Sequence, residues 1–179
     1  MNIFNNTKIK DIKFDFYFKD KKYDIKKASF NYKDVNFYSK EILIKKLNNI
    51  YEIQGDLENK KGLIDANSIS KLFNINLNFL ENKKILAQTY NEFKFTINAK
   101  RKLKNVELVS KINFKEILIN KKIQNLISFQ NGIININYNK KILNIDIDSG
   151  YSFINDNYKN SEKDKIKVEI IKKNNKDFK

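Results

Sequence analysis

The sequence predicts a mostly β protein: a curved antiparallel meander sheet, groove-like or half-barrel-like, with one or two short helices. Apolar and polar residues alternate along most of the 179 residues, and no uninterrupted apolar run is longer than three residues. Alternation places apolar side chains on one face of a strand and polar side chains on the other. Because one or two short helices cannot cover about ten strands, the sheet must fold onto itself or enclose something else.

Five strands are predicted in the first third of the chain. Apolar residues occupy every second position of the first strand, and a turn follows at residues 20–22. The apolar phase of the second strand changes at Lys26-Lys27, which predicts a β-bulge there. The predicted strands are residues 12–18, 23–32, 35–38, 42–45 and 51–57.

The alternation stops after residue 65, where a helical spacing begins. Ile69, Leu72 and Phe73 follow the i, i+3, i+4 pattern of one helix face. Asp65 is a suitable N-cap because its carboxylate accepts hydrogen bonds from backbone N–H groups. The sequence therefore predicts a short helix over residues 66–73.

Strands resume in the second half of the chain. The basic cluster at residues 100–104 and the segment 139–141 predict hairpin turns, and Gly132 is predicted to open a hairpin. Residues 121–129 are ambiguous, because three apolar residues there also fit one helical turn. The predicted strands are residues 85–89, 93–97, 106–114, 134–138, 143–147 and 166–170.

The domain organisation predicted from this pattern is simple. The chain has four glycines and no proline, so no Pro- or Gly-rich linker divides it. Residues 1–171 are predicted to form one β-rich domain, or one segment of a longer groove. Residues 172–179 are predicted to be a polar tail.

Composition excludes most catalytic chemistry. Without His or Cys there is no Ser-His-Asp triad, no cysteine nucleophile, no zinc finger and no disulfide. The net charge is +15, but Lys, Asn and Ile together fill 92 positions, and their codons consist almost wholly of A and T. Much of the charge therefore reflects codon composition, and many lysines are expected on the solvated side of a one-faced sheet. We expect a protein that is not an enzyme and has no cofactor or metal.

Asp146 and Asp148 are the candidate carboxylate pair. Two positions apart on a strand, they share a face, as acid–base catalysis or a hard cation would require. The same spacing is expected if they simply lie on the solvated face opposite the apolar residues of that strand. The second interpretation is favoured, because no third acidic residue follows at ligand spacing before Asp156.

Nucleic acid is the alternative partner suggested by the charge. Basic and aromatic residues are interleaved at Lys33, Tyr38 and Lys40 and again at Tyr90 and Lys94, as in a stacking platform. Lysines are spread along the whole chain, however, and Arg101 is the single arginine. Since arginine is the preferred ligand of phosphate and guanine, nucleic-acid binding is not favoured.

The apolar face of the sheet is the remaining candidate for function. It predicts either a sandwich core or an apolar channel for acyl chains, and periodicity alone does not separate the two. A third interpretation is a structural β scaffold. The candidate lining residues, taken from the alternation, are Phe14, Phe16, Phe18, Phe93, Phe95, Ile97, Ile134, Ile136, Leu143 and Ile145.

The order of these features resembles the AsmA-like superfamily, in its YhdP and TamB branch. The resemblance rests on a Phe-rich strand, a Lys-rich hairpin, the segment 52–62 (EIQGDLENKKG), a short helix and a long meander with Gly-x-Ile-like hairpins. It covers nearly the whole chain and includes no catalytic motif.

The resemblance implies a non-catalytic function in the periplasm. Members of the superfamily are long β-grooves, anchored in the inner membrane, that are thought to carry phospholipid to the outer membrane. This chain would then be a fragment of such a groove. Its partners would be phospholipid acyl chains, the rest of a longer envelope protein, and the membrane through an anchor upstream of this sequence.

Overall fold

In the part of the chain that the structure describes, nine antiparallel strands follow one another and form one sheet, in which each strand pairs with its neighbours in sequence. The computed structural model describes residues 9–32, 35–67, 80–100, 102–120, 126–139, 142–154 and 161–171. The strands are β1 (Ile9–Lys19), β2 (Lys22–Tyr32), β3 (Val35–Leu47), β4 (Ile50–Asp65), β5 (Lys84–Asn98), β6 (Leu103–Asn120), β7 (Leu126–Asn139), β8 (Ile142–Ile154) and β9 (Ser161–Ile171).

The sheet is open and is not closed into a barrel, since β1 and β9 lie at opposite ends of the strand order. The prediction of a mostly β antiparallel meander is therefore confirmed.

The sheet has two ends, which differ in how the strands are joined. The turn end carries the short turns that join β1 to β2, β3 to β4, β5 to β6 and β7 to β8. The connection end carries the segments that join the other successive strands.

Several predicted elements differ from those observed. Residues 35–38 and 42–45 belong to one strand, β3, so the described residues form nine strands where about ten were predicted. Gly132 does not open a hairpin, because it lies inside β7, and the part of the ambiguous segment from Leu126 onward is also strand. A short stretch of sequence does not show whether a strand continues, turns or becomes a helix, because strand pairing outweighs local propensity.

The predicted helix begins where expected, as far as the structure describes it. Ala66 and Asn67 are helical, and the N–H of Asn67 donates to Oδ1 of Asp65 at 3.1 Å. That contact is the predicted N-cap interaction. The remaining residues of the predicted helix, and the predicted tail at 172–179, lie outside the described residues.

Irregular pairing recurs across the sheet, at the interfaces β1–β2, β3–β4, β4–β5, β5–β6 and β7–β8. The bulge predicted at Lys26-Lys27 is confirmed, because Lys27 has a φ of 51° and the β1–β2 register shifts between Lys13 and Asp15. Bulges of this kind bend a strand and increase its twist. Their repetition is a physical source of curvature in so wide an open sheet.

The hydrophobic core is small and lies at the connection end. Its buried members are Ala66, Leu80, Ile85, Ala87 and Phe114. The described ends of the β4–β5 connection supply two of them, and Leu80 also forms an isolated bridge with Ile119 on β6. Partly buried residues packed against this core are Ile64, Ile112, Ile117, Ile119, Phe129 and Ile134.

Candidate functional site

One face of the sheet carries a continuous row of mostly apolar positions that crosses the strands β1 to β8. Paired backbone positions lie side by side and their side chains share a face, so the register itself defines the row. We call the face that carries it the apolar face. From β1 to β8 the row consists of Phe16, Ile25, Ile42, Gly55, Phe93, Leu108, Tyr138 and Leu143.

The register brings most of the candidate lining residues to this face. The nine residues that it carries are Phe16, Phe18, Phe93, Phe95, Ile97, Ile134, Ile136, Leu143 and Ile145. Phe14 lies within the second register shift of β1, between Lys13 and Asp15, and its side chain is exposed. Ile134 packs beside the hydrophobic core, so it belongs to the covered part of the face.

A polar network crosses the apolar face on β4, β5 and β6. Asn59 is fully buried; its Oδ1 accepts from the N–H of Thr89 at 2.9 Å and from the Thr89 hydroxyl at 2.5 Å, and its Nδ2 donates to the Ala87 carbonyl at 3.0 Å. Nδ2 of Asn91 donates to the Thr89 hydroxyl at 3.2 Å, and the Ser110 hydroxyl donates to Oδ1 of Asn91 at 2.6 Å. The network thus joins three strands through side chains.

The network lies beside a bulge and has a structural role. The register of β4 with β5 shifts by one residue between the pairs Asn59–Thr89 and Gly62–Ala87, so the hydrogen-bond ladder between these two strands is interrupted there. The Asn59 amide replaces the missing ladder contacts at Thr89 and Ala87. Sequence reasoning missed this residue, although a signal was present. The positions on the apolar face have odd residue numbers through Leu57 and even residue numbers from Gly62 onward.

On the turn-end side of the network, the apolar face is uncovered. We call this region the open half. Among the described residues none of its apolar side chains is buried, and Phe16 keeps 54 % of its surface exposed. Ring contacts organise it locally: Phe93 and Phe95 are stacked with 5.8 Å between their centroids, and the rings of Phe18 and Tyr23 are tilted with 4.8 Å between theirs. The open half consists of Phe16, Phe18, Tyr23, Ile25, Ile42, Ile44, Ile53, Phe93, Phe95, Ile97, Leu108, Tyr138 and Leu143.

The opposite face is charged and carries ion pairs. Nζ of Lys26 lies 3.1 Å from Asp24 and 3.6 Å from Glu41, and Nζ of Lys94 lies 3.6 Å from Glu52. The hydrogen bond to Asp24, and then its charge, raise the pKa of Lys26 above its usual value. Lys13 and Lys94 are exposed, as predicted for lysines on a solvated face.

A shallow depression of about 630 Å³ lies on this charged face, and its charges are mixed. At its centre the Asp56 carboxylate accepts from the backbone N–H groups of Lys40 and Glu41, both at 2.9 Å. These two N–H groups lie where the β3–β4 register shifts. The Asp56 carboxylate therefore accepts the hydrogen bonds that the ladder lacks there, as the Asn59 side chain does at the β4–β5 shift. The depression is therefore explained by strand irregularity.

The two aromatic residues of the nucleic-acid alternative lie among carboxylates. Tyr38 and Tyr90 are exposed and both border a second depression that also includes Asp56 and Glu58. The Tyr90 hydroxyl donates to Oε1 of Glu92 at 2.9 Å. Lysines are present as well, because Lys27 and Lys40 line the same depression and Nζ of Lys60 lies 5.7 Å from the centroid of the Tyr38 ring. The charge around the two rings is therefore mixed, whereas a stacking platform for nucleic acid lies in a positively charged groove.

Glu92 also affects the titration of Tyr90, which gives a direct check of this geometry. The hydrogen bond to Glu92, followed by burial and nearby negative charge, raises the pKa of Tyr90 above 10.0. We expect Glu92→Gln to bring this pKa back toward 10.0, since both the ionic acceptor and the nearest charge are lost. Ultraviolet difference titration measures it, and Tyr90→Phe identifies the contribution of this ring. Identical titrations of Glu92→Gln and the wild type would contradict the contact.

Within the described residues, the structure assembles no group of three His, Cys, Asp or Glu side chains that could hold a metal ion. Asp146 and Asp148 are exposed on β8, and their backbone partners on β7 are Asn135 and Ile133. Their position on the face opposite Ile145 and Ile147 agrees with the solvated-face interpretation.

Comparison of the chain with protein-family models, curated proteins and solved structures gives no significant match. In the part of the chain that the structure describes, no helix is both long enough and apolar enough to cross a membrane.

Proposed function

We propose that this protein is a non-catalytic lipid-binding protein whose open half binds phospholipid acyl chains. The observation that carries the proposal is the row of apolar side chains across the sheet, which remains partly exposed from β1 to β8. Contiguous exposed apolar surface of this extent is unusual on a soluble protein and marks an interaction site.

The shape of the open half favours an elongated ligand. Its side chains extend across neighbouring strands, which are spaced about 4.8 Å apart, so the surface is a strip several strands wide. Phe, Ile and Leu side chains dominate the strip, and the polar network at Asn59 and Asn91 bounds it on one side. An acyl chain requires an apolar strip without hydrogen-bonding demands, and the amides that bound this strip form their hydrogen bonds within the protein.

In its wider context, we propose that the chain is a segment of an AsmA-like envelope protein in the periplasm, where it binds or conducts phospholipid between the two membranes. An open meander with an apolar face supports this placement, because such a sheet can be lengthened by adding hairpins. An in-frame extension of the coding sequence that encodes an inner-membrane anchor would support the envelope placement, and recovery of the native protein in the cytosolic fraction would contradict it.

Lipid binding is tested by a pair of matched variants. Phe93→Ser with Phe95→Ser removes two stacked rings from the open half, whereas Leu63→Ser with Val109→Ser removes two exposed apolar side chains from the opposite face. We expect the first variant to weaken binding of a fluorescent fatty acid by at least about tenfold, since each ring contributes more than about 1 kcal/mol of apolar contact. The control is expected to bind like the wild type.

Native mass spectrometry of the purified wild-type protein provides the second readout. Co-purified phospholipid is expected, and circular dichroism shows whether each variant is folded. A lipid-free wild type that also fails to bind the fatty acid would refute the proposal in favour of a structural scaffold. Binding that instead follows nucleic acid, with log affinity falling by roughly 0.9 per contacted phosphate against log salt, would favour the nucleic-acid alternative.

A further inference from the structure

The turn end of the sheet has a distinct surface that the apolar face does not explain. Three of the four hairpin tips at this end lie side by side, and we call their described residues, 19–22, 46–50, 98–100 and 102–104, the turn rim. The tips are neighbours in space: the N–H of Lys46 donates to the Lys21 carbonyl at 3.2 Å, and Ile50 pairs with Asn98. The turn rim is therefore one surface assembled from three separate parts of the sequence.

Positive charge is concentrated on the turn rim. The described tips carry seven exposed lysines, whereas Asp20 is their single carboxylate. Among the described residues, no rim lysine lies within ion-pair distance of a carboxylate. The lysines are Lys19, Lys21 and Lys22 on the first tip, Lys46 on the second, and Lys100, Lys102 and Lys104 on the third.

Aliphatic side chains project between these lysines. Leu47, Ile50 and Leu103 keep 54 %, 43 % and 49 % of their surface exposed, although each lies next to a turn where a polar residue is usual. The connection end differs from the rim. Several of its apolar residues are buried in the core, although Leu63 is exposed, and its charges are mixed, with Asp65 and Glu81 close in sequence to the core residues Ala66 and Leu80.

The tips are held in shape by their own backbone and side chains. Asp20 and Lys21 both have positive φ, 50° and 61°, as a type I′ hairpin turn requires. On the third tip, Oδ1 of Asn98 accepts from the N–H groups of Lys100 and Lys102 at 3.1 and 2.9 Å. The lysines and aliphatic residues are thus presented by ordered turns.

We propose that the turn rim docks on the surface of an anionic phospholipid bilayer. Lysines next to exposed Leu and Ile match the two layers of that surface, since the ammonium groups bind lipid phosphates while the short aliphatic side chains enter the interface. A nucleic acid would instead favour aromatic side chains that stack on bases, and the turn rim offers aliphatic ones. The turn rim borders the open half, since Phe18 and Tyr23 line one depression with Lys21 and Lys46 and Leu103 pairs with Ile97. The variants below therefore separate docking from acyl-chain binding.

Vesicle co-sedimentation of the full chain tests the proposal. The probes are vesicles of phosphatidylcholine alone and of phosphatidylcholine mixed equally with phosphatidylglycerol. We expect the protein to pellet with the anionic vesicles only, and most strongly at low ionic strength, because salt screens exposed charges.

Charge-reversal variants locate the surface. Lys21→Glu, Lys46→Glu and Lys102→Glu together change three tips. The control combines Lys13→Glu, Lys111→Glu and Lys115→Glu, which are exposed strand positions away from the rim and lower the net charge equally. We expect the rim variant to lose about 100-fold in vesicle affinity and the control to stay close to the wild type. A further variant, Leu47→Asn with Leu103→Asn, is expected to lose about tenfold without any change of charge.

Three outcomes would overturn docking: equal losses in the rim and control variants, equal binding to both kinds of vesicle, or rim-dependent binding of a single-stranded oligonucleotide that displaces the vesicles. The fatty-acid assay keeps this proposal separate from the acyl-chain site. A rim variant that loses vesicles is expected to retain the fatty acid, whereas Phe93→Ser with Phe95→Ser is expected to retain vesicle docking. Failure of one site therefore leaves the other measurable.

Discussion

Replacing Phe114 with alanine is expected to lower the free energy of unfolding by about 3 to 5 kcal/mol. Phe114 is the largest buried side chain of the small core, with only 4 % of its surface exposed. Its ring lies over Gly132 on the neighbouring strand, so closely that a Cβ added at Gly132 would overlap both the ring and Ser149. Truncation leaves a cavity that the flanking backbone cannot fill without movement.

Denaturant unfolding followed by circular dichroism measures this effect. Phe14→Ala is the matched control, because the same side chain on β1 is more than half exposed and little burial is lost. We expect the control to change the free energy of unfolding by less than about 1 kcal/mol. Equal effects of the two replacements would show that the core is not where the structure places it.

Replacing Asn59 with alanine is expected to lower the free energy of unfolding by about 3 kcal/mol, as several buried polar groups lose their partner at once. The N–H of Thr89, the Thr89 hydroxyl and the Ala87 carbonyl all bond to this one side chain. Burial prevents water from replacing it without cost, and the β-bulge beside it removes the alternative ladder contacts.

Asn137→Ala provides the control for this second replacement, since Asn137 is an exposed asparagine on β7. Its replacement is expected to change the stability by no more than about 0.5 kcal/mol. Chemical denaturation compares the two variants directly. If the Asn59 variant were as stable as the control, water or a local rearrangement would have to supply the hydrogen bonds that Thr89 and Ala87 lose.

Much of the fold was predictable, because alternation depends only on which face of each strand is apolar. Phe93, Phe95 and Ile97 keep one phase in the sequence and share one face in the sheet. Alternation does not fix how strands are joined, however, so β3 appeared as two strands. The face was predicted more reliably than the ends of the elements.

The features that alternation could not place are those that interrupt it. Asn59 and Asn91 are polar residues at positions that alternation assigns to the apolar face. Their structural role depends on hydrogen-bond partners about thirty residues away in the sequence. The division of the apolar face into a covered and an open half depends equally on tertiary packing, through Leu80 and its bridge to Ile119. Neither can be derived from a window of sequence.

The strand order has a consequence for how the chain reaches this structure. All-β proteins usually fold slowly because their sheets join strands that are distant in sequence, which gives a high contact order. Here every strand is paired with the strand before or after it, so each step of assembly closes only one hairpin. The sheet can grow outward from any hairpin as a quasi-one-dimensional array, in the manner of solenoid proteins. We therefore expect its folding to depend on nearest-neighbour interfaces and not on a single long-range nucleus.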